Sequence, residues 1–181
     1  MKDMKSIIGL GNKGEEYKNT RHNAGAIVLA YVEKKLEDSN IKQLKFIYPS
    51  TFMNVTGKVV APLVKNKKDL ENLVVIYDDI DLPLGRMKIS FNRSSGGHNG
   101  LGSIIKSLKS EEFLRIRIGI CPTTPTGKNK KPKGEDAILK FLLGEFKKPE
   151  LDELKKLSKK VAQAIETIYT ESKDKAMSLY N

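Results

Sequence analysis

The feature that most constrains the fold is the uninterrupted apolar run at residues 73–77, LVVIY, which Asp78 and Asp79 follow directly. The run has the length of a strand, and it lacks the polar alternation of a strand with one solvated face. Strands that are apolar on both faces belong almost entirely to α/β proteins, because helices cover both sides of a parallel sheet. The run therefore predicts the central strand of an α/β fold.

The rest of the chain alternates between strand-like and helix-like segments. Short apolar runs predict strands at 6–10, 44–48 and 87–91, and isoleucines alternating with Arg117 and Gly119 predict a strand with one polar face at 116–120. Helical spacing of apolar residues predicts helices near 26–36, 59–64, 101–108 and 137–142, and over 149–169. No repeat or linker divides these segments. We therefore predict a single domain over 1–181, with a twisted, mixed and mostly parallel sheet flanked by helices on both faces.

The positive charge of the chain is unevenly distributed. The 33 Lys and Arg residues outnumber the 22 Asp and Glu residues, which gives a formal net charge of +11. Residues 84–133 hold 11 basic and only 2 acidic side chains, whereas residues 134–181 are neutral overall. Segment 122–134 is rich in Pro, Thr, Gly and Lys, which predicts a basic mobile loop, here called the lysine loop. Its lysines are Lys128, Lys130, Lys131 and Lys133.

This charge and the remaining composition narrow the class of protein. A local positive excess attracts phosphate backbones, so nucleic acid is the leading partner, ahead of an acidic protein or a membrane surface; the alternative is a basic surface that serves solubility. No apolar run approaches the roughly 18 residues of a membrane helix, and no export signal is present, so we expect a cytoplasmic protein. The single Cys121 excludes a disulfide framework, and it lacks a nearby His or acid to activate it as a nucleophile.

The glycine-rich segment at 9–14, GLGNKG, fits the dinucleotide-binding pattern G-x-G-x-x-G after a strand. In that pattern the helix begins within the glycines, so that its amides meet the pyrophosphate. Here Glu15 and Glu16 follow the last glycine, and the apolar helix begins only after Thr20. We therefore favour a sharp turn, or a turn that exposes Asn12 where α/β sheets bind ligands, over a nucleotide site.

The chain has only two histidines, His22 and His98, and an asparagine follows each of them. His22 lies at the start of a predicted helix, whose N-terminus disfavours imidazolium and keeps the ring neutral, as a general base requires. His98 lies among glycines, where the chain either binds a ligand or turns. With an aspartate such as Asp78, the two histidines also match a facial metal triad, although neither has a second ligand at helical spacing.

Six short motifs follow one another along the chain. They are GLGN at 9–12 with Gly14 and Tyr17, TRHNAG at 20–25, TFMNVTG at 51–57, DDIDLPLG at 78–85, GGHNGL at 96–101 and FLRIRIGI at 113–120. In this order they resemble the bacterial-type peptidyl-tRNA hydrolase family over about residues 6–120, with a weaker similarity to about 146. Each motif alone is a modest signal, but all six in order are specific.

The resemblance implies a monomeric cytoplasmic enzyme that needs no metal or cofactor. Its substrate would be peptidyl-tRNA, and it would cleave the ester that joins the peptide to the 3′ ribose. By resemblance, His22 is the general base that activates water, and Asp78 orients and supports its ring. Asn12 is expected to position His22 and the end of the tRNA.

The resemblance also implies a set of substrate contacts. Asn54 and Asn99 would contact the peptide backbone and the oxyanion, because amides both donate and accept hydrogen bonds. Tyr17 and Met53 would line the cleft. Affinity for tRNA phosphates would come from Lys88, Arg117 and the lysines of the lysine loop, whereas no membrane contact is expected.

The sequence departs from the family in three places. The stretch between Asn40 and Pro49 is shorter than in typical members, so part of a sheet edge is expected to be missing. Cys121 stands where the family usually has glycine, and the lysine loop is longer than usual. None of these differences removes a proposed catalytic residue. Two alternatives stay open: an RNA-binding module without activity, and a nucleotide-dependent enzyme.

Overall fold

A five-stranded sheet forms the centre of the structure, a computed structural model that describes residues 4–37 and 39–181. The strands are β1 (Lys5–Gly9), β2 (Leu44–Ile47), β3 (Leu73–Pro83), β4 (Met87–Phe91) and β5 (Leu114–Cys121). Their order across the sheet is β2-β1-β3-β5-β4, and β4 alone runs antiparallel to its neighbour. The predicted mixed and mostly parallel sheet is thus confirmed, with the apolar run in its central strand.

Helices cover both faces of the sheet, as predicted. They are α1 (Ala24–Leu36), α2 (Gly57–Val60), α3 (Lys67–Glu71), α4 (Asn99–Leu108), α5 (Glu135–Leu143), α6 (Lys148–Thr170) and α7 (Lys173–Tyr180). One face of the sheet packs against α1 and α6 around Val28, Ile116 and Val161. The other face packs against α4 and the segment around Met53, with Val75 and Leu101 in its core. Helix α6 extends one residue beyond each end of the predicted helix at 149–169.

Two strands differ from their predicted form. Strand β3 does not end at the aspartates but continues to Pro83, with an irregular register between Asp79 and Pro83. The predicted polar face of β5 is wrong, because every residue of that strand is buried. Its arginines are buried because they find partners: Arg115 donates to the carbonyl of Ser94 at 3.0 Å, and Arg117 pairs with Asp79.

The lysine loop folds back on itself as a turn. The amide of Lys130 donates to the carbonyl of Pro122 at 2.7 Å, and the amide of Thr124 donates to the carbonyl of Lys128 at 2.8 Å. Asn129 and Lys131 both bind Asp81 at the end of β3. The loop is thus attached to the strand that carries Asp78, and its mobility stays a prediction. Within the described residues, no helix combines the length and the apolar character that crossing a bilayer requires.

Candidate active site

A glycine allows the turn that carries His22 to lie close to the central strand. Residues Arg21–Asn23 form a 3₁₀ turn that leads into α1. Gly25, in the first turn of α1, has no room for a side chain, because a Cβ there would lie 2.3 Å from the carbonyl oxygen of Ile76. This close approach of α1 to β3 places His22 beside Asp78, two residues beyond Ile76.

His22 and Asp78 form a buried hydrogen-bonded pair. The Nδ1 atom of His22 lies 2.9 Å from Oδ2 and 3.1 Å from Oδ1 of Asp78. The two side chains are 9% and 2% exposed, respectively. An ionised carboxylate only accepts hydrogen bonds, so Nδ1 donates and Nε2 of the neutral ring keeps its lone pair. The ring therefore has the tautomer that a general base needs.

Burial and pairing act on these two groups in opposite directions. Desolvation acts to lower the pKa of His22, but the charge and the hydrogen bond of Asp78 outweigh it and raise that pKa above its ordinary value near 6.5. Desolvation acts to raise the pKa of Asp78, yet attraction to His22 and His98 prevails and holds that pKa well below its usual range. Asp78 is therefore ionised at neutral pH. The influence of Asp78 on His22 is opposite to the helix N-terminus effect expected from the sequence.

His98 is a third member of this cluster. Its Nε2 atom lies 2.9 Å from Oδ1 of Asp78, and its side chain is 8% exposed. The centroids of the two imidazole rings are 4.8 Å apart. The sequence offered His98 only as part of a ligand-binding turn or of a metal triad, and it gave this histidine no catalytic role. The signals in the sequence were the glycines around His98 and the asparagine that follows each histidine.

Asn12 is held against the turn of His22 by a neighbour that the sequence did not indicate. The backbone N–H of Asn12 donates to Oδ1 of Asn23 at 2.8 Å, and Nδ2 of Asn23 donates to the carbonyl of Asn12 at 3.0 Å. Because Asn23 follows His22 directly, these bonds tie Asn12 to the turn that carries His22. The side-chain Oδ1 of Asn12 accepts the N–H of Met53 at 2.8 Å, which assigns the other end of the amide as an N–H donor.

The proposed cleft residues occupy different environments. Met53 is buried against the start of α4, where a Cβ on Gly100 would lie 2.4 Å from its Sδ. Tyr17 is half-buried and meets the exposed ring of Phe52 edge to face, with 6.4 Å between centroids. Asn54 and Asn99 are exposed, and no hydrogen bond joins their side chains to another described residue.

The proposed tRNA contacts divide into exposed and buried groups. Lys88 and the lysines of the lysine loop are exposed. Arg117 is not: it is 9% exposed, and its Nε donates to Oδ2 of Asp79 at 2.6 Å. The alternating pattern of β5 had suggested that Arg117 faces solvent, but its charge is already paired inside the protein. Lys131 also has a partner, Asp81, at the surface.

Two alternative sites receive no support from the geometry. The glycine segment opens no helix, because Glu15–Tyr17 forms a 3₁₀ turn and α1 begins only at Ala24. Cys121 is buried, and its burial raises the pKa of the thiol, which disfavours the nucleophilic thiolate.

The same three side chains also match the donor set of a metal site. The donor atoms of His22, Asp78 and His98 all lie within 4.8 Å of one another. However, the imidazole nitrogens that face the carboxylate carry protons in the hydrogen-bonded arrangement, so they offer a cation no lone pair. We therefore interpret the three side chains as a hydrogen-bonded cluster.

The sequence model of the family described as peptidyl-tRNA hydrolase matches residues 6–181. The chain belongs to the peptidyl-tRNA hydrolase family. A peptidyl-tRNA hydrolase from Fervidobacterium nodosum is 41% identical over 97% of this chain and 94% of its own length. Another, from Staphylococcus saprophyticus, is 38% identical over 98% of each chain.

Solved structures of peptidyl-tRNA hydrolases share the fold. The crystal structure of the Acinetobacter baumannii enzyme superposes with a TM-score of 0.83 at 26% identity, covering 100% of this chain and 96% of that chain. A complex of a peptidyl-tRNA hydrolase with n-propanol has the same TM-score and identity, over 99% of this chain and 95% of that chain. The chain is accordingly a hydrolase of a family that acts on ester bonds. The predicted family and α/β fold are both confirmed.

Proposed function

We propose that this peptidyl-tRNA hydrolase family member cleaves the ester between a peptide and the 3′ ribose of tRNA by general-base activation of water at His22. The observation that carries the proposal is the buried pair in which Nδ1 of His22 lies 2.9 Å from Oδ2 of Asp78. That contact leaves Nε2 as the atom that takes a proton from water. A positioned base of this kind contributes about 10²–10⁴ to the rate.

Asp78 supports the reaction by stabilising the ring as it gains charge. When Nε2 takes the proton of the attacking water, the imidazole becomes a cation next to an ionised carboxylate. The raised pKa of His22 reflects this stabilisation, because Asp78 favours the charged form of the ring. The hydroxide equivalent then attacks the ester carbonyl. As the acyl–oxygen bond breaks, the His22 imidazolium returns its proton to the departing 3′ oxygen of the tRNA, which leaves as a hydroxyl.

The asparagines supply hydrogen bonds without adding charge. The amide N–H group of Asn12 has no hydrogen-bond partner among the described residues, and it suits the developing oxyanion or the 3′ ribose. The exposed amides of Asn54 and Asn99 suit the peptide backbone, whose N–H and C=O groups are the same in every peptide. Tyr17 and Met53 supply the apolar wall beside them.

The substrate tRNA is proposed to bind through exposed lysines. Lys88 and the lysines of the lysine loop are accessible to phosphate oxygens, whereas Arg117 is buried and paired with Asp79, so we assign it no phosphate contact. Association should therefore weaken with rising salt, as counterions are released on binding. We further propose that the enzyme works as a cytoplasmic monomer without cofactor or metal.

One assay tests this function against its alternatives. Purified protein is incubated with N-blocked aminoacyl-tRNA in EDTA without nucleotide, and free tRNA is measured. We expect release by the wild type and a loss of about 10²–10⁴-fold in kcat for His22→Asn. Binding without release would favour the RNA-binding module. A requirement for added metal or nucleotide would overturn the mechanism.

A further inference from the structure

Both ring nitrogens of His98 are engaged in hydrogen bonds. Nε2 lies 2.9 Å from Oδ1 of Asp78, and Nδ1 accepts the backbone N–H of Leu101 at 3.2 Å. The second contact caps the N-terminus of α4, because His98 is the residue that precedes that helix. Since the carboxylate accepts and the Leu101 amide donates, the neutral ring carries its proton on Nε2. A proton on Nδ1 would break the cap.

Asp78 divides its hydrogen bonds between the two imidazoles. Oδ1 accepts from both rings, and Oδ2 accepts from His22 alone. The neighbouring Asp79 pairs with Arg117 instead, and the ring of Tyr77 meets His98 edge to face, with 5.0 Å between centroids. Among the described residues, the charged and titratable groups that face the Asp78 carboxylate are therefore the two histidines.

We propose that His98 is a positioning residue that shares Asp78 with His22, and that it thereby fixes the orientation of the carboxylate and limits the negative charge acting on His22. Only the part of this proposal that concerns the reaction rate rests on the proposed function, because that part takes His22 as the general base. Without the bond from His98, the carboxylate is held by a single ring. Its full charge then acts on His22, and it is free to turn about its own axis.

Two substitutions separate the two hydrogen bonds of His98. His98→Asn retains an acceptor near the position of Nδ1, and asparagine is a favoured helix cap, but its amide is too short to reach Asp78. His98→Gln places an N–H donor near the position of Nε2 but lacks a good capping acceptor. The first variant therefore removes the contact with Asp78, and the second removes the cap.

The titration of His22 can be read directly in both variants. The chain has only two histidines, so one imidazole signal remains in the ¹H–¹⁵N NMR spectrum once His98 is replaced. In His98→Asn we expect the midpoint of His22 to rise by roughly 0.5–1 pH unit above the wild type, because Asp78 then acts on His22 alone. In His98→Gln we expect it within about 0.3 unit of the wild type. The pH midpoint of kcat/KM should follow the same order, and the plateau kcat of His98→Asn should fall by roughly 3–10-fold.

The outcomes of these titrations test the sharing of Asp78 separately from the role of His22 as the general base. An unchanged His22 midpoint in His98→Asn, with the fold confirmed by circular dichroism, would overturn it. An equal shift in both variants would also overturn it, since loss of the cap would then be the cause. A shift in His98→Asn alone supports the sharing of Asp78. If that shift occurs while His22→Asn keeps full activity, the sharing is established and only the base assignment fails.

Discussion

Replacing Asp78 by asparagine preserves the size of the side chain but reverses one of its hydrogen bonds. Oδ1 of Asp78 accepts from Nε2 of His98, whose other ring nitrogen accepts the Leu101 amide, so the amide oxygen of Asp78→Asn should stay at the Oδ1 position to accept from His98. The amide nitrogen then occupies the Oδ2 position, 2.9 Å from Nδ1 of His22. Two N–H groups cannot face each other at that distance, so the imidazole proton moves from Nδ1 to Nε2.

The expected cost follows from the role of Nε2. Once Nε2 carries the proton, it no longer accepts one from water, and the rate loses the contribution of the general base. That contribution is about 10²–10⁴, so kcat should fall by this factor, or about 3–5 kcal/mol in activation free energy. KM should change little, because the side chain of Asp78 is 2% exposed and contacts the two histidines rather than the substrate. The pH midpoint of the residual activity should fall, because the charge that raises the pKa of His22 is gone.

The measurement is the pH dependence of kcat and KM for hydrolysis of N-blocked aminoacyl-tRNA, from about pH 5.5 to 9. Asp174→Asn is the matched control, because it makes the same chemical change at an exposed position in the first turn of α7. The control should retain wild-type kinetics. A kcat for Asp78→Asn within about threefold of the wild type, or a midpoint that moves upward, would refute the reasoning.

Three further predictions concern tRNA binding, packing and pH. Replacing all four lysines of the lysine loop by glutamine should raise KM and flatten its salt dependence with kcat little changed; an unaltered KM at low salt would exclude tRNA contact by the loop. Gly100→Ala should lower the free energy of unfolding by about 1–3 kcal/mol in urea titrations, because its new Cβ would clash with Sδ of Met53. The control Gly102→Ala should raise that free energy by about 0.5–1 kcal/mol, because its Cβ would lie 3.7 Å from Oγ of Ser95 without a clash. Because Asp78 has a lowered folded-state pKa, its stabilisation is present above about pH 4 and is lost as pH falls through that pKa. His22 has a raised pKa, so its stabilisation is present below about pH 6.5 and is lost as pH rises through the folded-state pKa. Urea titrations at several pH values should show each pH dependence of the free energy of unfolding in the wild type, and His22→Asn and Asp78→Asn should each lack the one that belongs to the replaced group.

Much of the fold follows from local patterns in the sequence. Apolar runs and helical spacing predicted the strands and the main helices, because burial of one face imposes those periods. The polar face expected for β5 was wrong because the pattern of a single strand does not show what lies across the sheet. Asp79, 38 residues before Arg117 in the chain, pairs with it and allows the arginine to be buried.

The candidate site was only partly predictable for a related reason. Local position suggested His22 as a base and Asn12 as a ligand contact, and the family resemblance joined them with Asp78 in one site. Neither source measures the distances between these residues. His98 lies 20 residues from Asp78 and Asn23 lies 11 residues from Asn12, so neither contact leaves a local signal. Both depend on how the ends of β1 and β3 meet α1 and α4.

Within the described part of the chain, the acidic cluster at the end of β3 keeps one carboxylate unpaired with arginine or lysine, although the enzyme is strongly basic. Asp78, Asp79 and Asp81 are close in sequence, yet they take separate partners: the two imidazoles, Arg117 and Lys131. Successive residues of a strand point to opposite faces, so the strand itself separates the first two carboxylates. If the guanidinium of Arg117 paired with Asp78 instead, it would compensate the charge that favours the imidazolium form of His22. Because Arg117 pairs with Asp79, the buried carboxylate of Asp78 interacts with the two histidines and not with an arginine, even though the chain is strongly basic.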